Sequence, residues 1–154
     1  QLSKLLKLDT VYQIENDTNV IWDENSNGYR LPTEAEWVYA CKGTTTNDFN
    51  GSENPNEIAW YAQNSAFLMH PVAEKLPNQF GLYDMHGNAW EWCWDRYDST
   101  YYEYIKLDSP KGPSSGDTHT LRGGSIKSGR AIIRSSNRTF DEENYETCGF
   151  RIVK

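Results

Sequence analysis

In the stretch GLYDMHGNAWEW, residues 81–92, two carboxylates, Asp84 and Glu91, flank a Gly87-Asn88 turn. Such a turn can aim backbone carbonyls into the space between the side chains. An all-oxygen set of that kind suits a hard cation such as Ca2+, which takes about 6–8 oxygens at roughly 2.3–2.6 Å. The D-x-D-x-D-G ladder of an EF-hand is absent. The rival chemistry for the same pair is acid–base hydrolysis, but carboxylates this close along the chain oppose each other across a substrate only with help from the loop. His70, His86 and His119 lie in polar turns at irregular spacing and read as solvent-facing rather than as ligands. Cys41, Cys93 and Cys148 show neither a CxxC pair nor zinc spacing. They read as ordinary buried thiols, with one disulfide plus a free thiol as the alternative.

Beyond the turn, WEWCWDRY alternates, so Trp90, Trp92 and Trp94 take one face of a strand and Glu91, Cys93 and Asp95 the other. A row of indoles is usually core, so the tryptophan face is expected to be buried, with ligand stacking as its alternative. Glu91 on the opposite face needs a partner if it is buried, and a metal cation is one solution.

The elements around these residues have local signals. Leu2, Leu5 and Leu6 in QLSKLLKLDT have helical spacing and read as the end of a helix, and VYQI with NVIWDENSNGYR reads as a short hairpin. In YRLPTEAEWVYACKG, Thr33 and Glu36 form a capping box, Trp37, Ala40 and Cys41 share a face, and Gly43 stands at the C-terminal stop. That pattern predicts a structural helix packed under a sheet. Residues 43–59 and 96–119 read as long polar loops, TLRGGSI and GFRIVK as strands, and RAIIRSS as a strand leading into a turn.

Fifteen Lys and Arg against 22 Asp and Glu leave a net charge of -7, which argues against nucleic acid or an anionic membrane as partner. No apolar run reaches the ~20 residues of a membrane span, so membrane insertion is not expected. Six Trp and 10 Tyr give large rings a major part of the packing.

Four stretches, YRLPTEAEWVYACKG, LPNQFGLYDMHGNAWEWCWDRY, LRGGS and the closing GFRIV, stand in the order and at separations similar to those of the formylglycine-generating enzyme family, also called sulfatase-modifying factors. The chain resembles that family over residues 28–154. The resemblance implies an α+β, C-type-lectin-like fold of low regular secondary structure and long loops, in one domain over residues 1–154. It implies a calcium site on the Asp84 and Glu91 side chains and the carbonyls of Gly87 and Ala89. A second family calcium site is not expected, because the corresponding segment, YAQNSAFLMHPV, lacks a carboxylate. The first strand and most of the first helix of the family domain have no counterpart here, which implies a cut chain or completion by an N-terminal segment or partner chain.

Active members of the family oxidise a cysteine of a sulfatase peptide to formylglycine with Cu(I) and oxygen, the copper being held by two cysteines shortly after the GGS motif. Here Gly123-Gly124-Ser125 is followed by IKSGRAIIRSSNR, and Ser128 stands where the first thiolate belongs. A hydroxyl is a poor ligand for Cu(I), so copper is not expected, and Trp90, Ser125 and Ser128 read as family active-site positions retained as scaffold.

Three functions compete. A non-catalytic, calcium-braced binding module is preferred, by resemblance to the variable proteins of diversity-generating retroelements, whose segment between RGGS and GFR contacts ligand. The corresponding residues are Lys127, Ser128, Arg130, Phe140, Asp141, Glu143, Asn144 and Tyr145, and the expected ligand is a protein, peptide or glycan. A formylglycine-generating oxidoreductase is the second reading. A structural component of a cell-surface assembly is the third, and an extracellular or surface location is the expectation.

Overall fold

The computed structural model describes residues 1–16, 19–104, 111–113, 115–141 and 145–154. A short helix α1 (Leu2–Leu5) leads to an antiparallel hairpin of β1 (Tyr12–Glu15) and β2 (Asn19–Trp22), with Tyr12 opposite Trp22. The hairpin and the helical character of α1 both follow the sequence signals. Leu2, Leu5 and Leu6 are exposed, and Ser3 turns inward to accept the Tyr29 N–H at 3.0 Å.

The helix α2 (Glu34–Lys42) is closed by the predicted capping box: Thr33 accepts the Glu36 N–H at 3.2 Å and Glu36 accepts the Thr33 N–H at 2.8 Å. Gly43 ends it at a φ of 56°, where a side chain would be strained. Trp37 and Cys41 are fully buried and pack with Met85 and Cys93. Residues 43–59, expected to be loop throughout, contain the helical turn α3 (Pro55–Ile58), with Pro55 in its first turn and the Asn54 side chain accepting the Asn56 N–H. Ile58 from that turn joins Phe49, Ala59, Tyr61 and Ile133 in a second cluster.

After β3 (Ala59–Trp60), which pairs in parallel with β4 (His86–Gly87), comes the central strand β5 (Trp90–Arg96). The turn α4 (Tyr101–Tyr104), β6 (His119–Arg122), β7 (Arg138–Phe140) and, following a 3-10 turn, β8 (Cys148–Gly149) complete the order. The main sheet runs β7-β6-β5-β8, with β5 antiparallel to β6 and parallel to β8. RAIIRSS is not a strand: residues 130–136 turn, and the ladder begins at Arg138. Ile133 within that turn is fully buried, so its apolar character reflects a plug into the second cluster.

The α+β fold with sparse regular structure is as the residues imply, but the faces of β5 are reversed. Glu91, Cys93 and Asp95 are buried, while Trp90, Trp92 and Trp94 are half-exposed. The physical reason is α2, which lies beneath the sheet and supplies polar partners to the carboxylates. The Glu34 N–H donates to Asp95 at 2.7 Å, and the Trp37 indole donates to Glu91 at 2.6 Å. The Glu34 carboxylate, itself buried, binds Arg122 at 2.7 Å and Arg138 at 2.7 and 2.8 Å. Glu34 and Glu91 tolerate burial because each has an opposite charge and directed hydrogen bonds, whereas Asp95 has no ion pair among the described residues and burial raises its pKa to about 7.

The histidines also depart from expectation. His86 is buried between the Asn50 N–H and the Ile133 carbonyl, and burial lowers its pKa. His70 stacks on Trp60 at 3.7 Å, and His119 is half-buried against the Trp94 carbonyl. Cys41, Cys93 and Cys148 are all free thiols, the first two buried. Burial pushes Cys41 up to about 12 and Cys93 well above the ordinary range.

Candidate functional site

The chain turns sharply after β6. Gly123 and Gly124 adopt φ values of 94° and 80°, and a Cβ on Gly124 would lie 2.6 Å from Ile133. The next turn is locked by serine: the Ser125 N–H donates to Ser128 Oγ at 3.0 Å, and the Lys127 N–H donates to Ser125 Oγ at 3.2 Å. The two hydroxyl oxygens lie 3.4 Å apart. Ile126 N–H reaches the Asn88 carbonyl at 3.0 Å, so this turn is tied to the 84–91 turn.

Above these turns a cleft of about 270 Å³ opens between β5, β6, β7 and β8. Trp90, Ser125, Lys127, Ser128, Phe140 and Asp141, each singled out from the sequence, line it together. Leu121, Thr139, Thr147 and Cys148 complete the lining. The first three carried no local signal, because their place depends on strand pairing. Asp141 accepts the His119 N–H at 2.5 Å, and Phe140 rests on Tyr97 with ring centres 4.8 Å apart. Lys127 reaches the exposed Glu146 at 3.5 Å, a solvent-screened pair that leaves the ammonium available. Arg130 does not join this cleft. It lies 5.6 Å over the Phe49 ring, in a separate depression with Asn47, Asp48 and Glu53, because the 129–136 turn carries it away. Glu143, Asn144 and the Tyr145 side chain lie outside the described residues.

Chemically the cleft offers hydroxyls, one ammonium, one carboxylate and one thiol beside aromatic surface. Burial, then Asp141, raises the pKa of Cys148, which favours the neutral thiol. Ser125 and Ser128 are buried and accept backbone hydrogen bonds, so their oxygens hold the turn. A hydroxyl pair with a single neutral thiol does not fit the two-thiolate coordination that Cu(I) prefers.

The 84–91 turn is a structural bracket. Asp84, Gly87 and Asn88 have φ values of 57°, 73° and 60°, and a Cβ on Gly87 would fall 2.1 Å from the Trp60 carbonyl. The Asn88 N–H donates to Trp60 at 2.7 Å, while its side chain exchanges hydrogen bonds with the His70 backbone, both at 3.1 Å. One Asp84 oxygen accepts the Ala73 N–H at 2.8 Å. Glu91 receives Arg151 through two nitrogens, at 2.5 and 2.6 Å, besides the Trp37 indole. The same guanidinium reaches the carbonyls of Tyr83 and Asp84 at 3.2 and 3.4 Å. The partner that a buried Glu91 requires is thus supplied by Arg151, a residue the sequence argument did not connect to it. For Asp84, Gly87, Ala89 and Glu91 to hold calcium, that guanidinium must move off the carboxylate. Among the described residues no cluster of three or more His, Cys, Asp or Glu side chains is arranged for a metal ion.

Comparison with known proteins accords with this geometry. A family model described as a sulfatase-modifying factor enzyme 1-like domain matches residues 2–154. The solved structure of Treponema denticola variable protein 1 superposes with a TM-score of 0.84 at 32% identity, covering 98% of this chain and 64% of that one. The formylglycine-generating enzyme of Streptomyces coelicolor is 36% identical over 113 residues, 64% of this chain and 36% of its own length. A protein named serine/threonine-protein kinase pkn1 from Chlamydia caviae is 36% identical over 134 residues, 82% of this chain and 21% of its own. The chain therefore spans well under half the length of these two curated relatives. It belongs to the sulfatase-modifying factor enzyme 1-like family.

Proposed function

We propose that this family member is a non-catalytic binding module whose cleft beside β5 receives a protein, peptide or glycan ligand. The observation that carries the reading is the convergence of Trp90, Lys127, Phe140 and Asp141 on one open cleft whose two serines are committed to holding the turn. An indole, a phenyl ring, a screened ammonium and a carboxylate form a mixed surface of the kind that recognises ligands. The likeness to Treponema denticola variable protein 1 over nearly the whole chain supports the same reading. Calcium bracing at Asp84, Gly87, Ala89 and Glu91 belongs to the proposal as a state in which Arg151 has yielded Glu91 to the ion.

The catalytic alternative asks the cleft to oxidise a peptide cysteine with copper. Intact-mass measurement after incubation with Cu(I), oxygen and a Cys-x-Pro-x-Arg peptide is expected to show no formylglycine. Conversion would overturn the non-catalytic reading. Peptide and glycan arrays probed with the protein and with Trp90→Ala should show ligands that the variant loses. An array in which Trp90→Ala and Lys127→Ala each retain every ligand would remove the cleft from the proposal.

A further inference from the structure

The open face of β5 continues past the first cleft into a second, larger hollow of about 710 Å³, within the size range of small-molecule sites. Its walls are Tyr12, Trp22, Trp92 and Trp94, with Arg96 and His119 at the end of the strand. The rings are held in place by one another: Tyr12 stacks on Trp94 at 5.1 Å with 10° between planes, and Trp22 meets Trp94 edge-on at 5.6 Å. Trp92 is met edge-on by His119 at 5.7 Å. The surface is therefore aromatic and pre-ordered before any ligand arrives.

Its charges are mostly matched. Lys111 pairs with Glu24 at 2.5 Å, and the nearby Arg30 pairs with Glu36 at 2.6 Å. His119 is held toward its neutral form by burial and by Arg96. Arg96 itself makes no ion pair among the described residues, and it extends the row of Trp92 and Trp94 on the same side of β5. A guanidinium with no ion pair among the described residues presents a planar fork that matches a carboxylate. Ring faces attract the C–H face of a sugar, because the aromatic quadrupole is negative above the plane. A peptide recognised by strand addition would need free backbone groups on β5. Beside the hollow β6 takes one edge, and although β8 pairs only with Trp90 and Glu91, the Trp94 N–H already donates to the Pro32 carbonyl at 2.8 Å.

We propose that this second hollow binds an acidic carbohydrate, with the sugar carboxylate on Arg96 and the pyranose ring against the indoles of Trp92 and Trp94. The site is separate from the first cleft and does not depend on what that cleft binds. The test is calorimetric and tryptophan-fluorescence titration with digalacturonate, with lactose as the neutral disaccharide and a glutamate-rich peptide as the rival anion. Saturable digalacturonate binding is expected, at least tenfold tighter than lactose. Arg96→Gln, shown by its melt to be folded, should weaken it at least tenfold, while Arg130→Gln, an equal charge change outside the hollow, should leave it unchanged. The proposal fails if folded protein binds no digalacturonate, if lactose binds as well, if Arg96→Gln keeps full affinity, or if the peptide binds in place of the sugar.

Discussion

The two sides of β5 carry residues that alternate one by one, yet they live in different physical environments. On one side Glu91, Cys93 and Asp95 are buried against α2, and on the other Trp90, Trp92, Trp94 and Arg96 are half-open. Hydrophobicity alone would place the indoles inside. The outcome is reversed because Arg122 and Arg138, gathered on Glu34, and Arg151 on Glu91 supply opposite charges to the polar side. A strand buries the side whose neighbours complete it, even when the other side has more apolar area. The rings left outside the core by that choice line both hollows.

The sharpest way to break this contrast is Glu34→Ala, which strands two guanidinium groups in a closed space. It should cost about 3–5 kcal/mol in urea unfolding, and a loss below about 1 kcal/mol would mean that ions do not hold the buried side. Calcium comes next. If it draws Glu91 away from Arg151, calcium at 100 times its Kd should add about 2.7 kcal/mol of stability. Glu91→Ala should erase the rise in Tm, and an unchanged melt with calcium or chelator would assign the bracing to Arg151 alone.

Asp95 sharpens the contrast through pH. Burial raises its pKa to about 7, with the charge of Glu34 adding to the rise and the Glu34 N–H opposing it. The folded state therefore holds a proton that the unfolded chain releases near pH 3.9. Its contribution to stability is full below that pH and is lost as the pH rises toward 7, with a slope of up to about 1.4 kcal/mol per pH unit. Asp95→Asn should flatten that part of the stability–pH curve, and an unchanged slope would refute the assignment. The smallest effect belongs to Trp92→Ala on the open side. It should cost about 1 kcal/mol in thermal unfolding, against about 3–5 kcal/mol for the fully buried Trp37→Ala. Equal losses would return the indole row to the core.

What could be read from the sequence was local. Thr33 and Glu36 lie within one helical turn, so the capping box declared itself, and the β1–β2 hairpin did the same through its turn residues. Alternation along WEWCWDR was visible too, but its sense depended on Arg122, Arg138 and Arg151, far along the chain. Lys127, Phe140 and Asp141 lie in the segment between RGGS and GFR, which the family resemblance singles out as a whole. Arg130 shares that segment, and no local signal shows that the 129–136 turn swings it onto Phe49. The apolar Ala131, Ile132 and Ile133 mimic a strand in composition, while only Ile133 enters the core.

The Glu34 clamp also bears on the order in which the molecule can form. Its bonds to Arg138 join residues 104 positions apart in a 154-residue chain. Closing so long a loop costs chain entropy before the contact returns anything, which places this fold among the slower ones for its length. During synthesis, α2 is finished long before β6 and β7 emerge, so its capped helix waits with an acid whose partners, Arg122 and Arg138, come far later in the chain. The buried side of the sheet is consequently sealed late, by Arg122, Arg138 and Arg151, all far along the chain from α2.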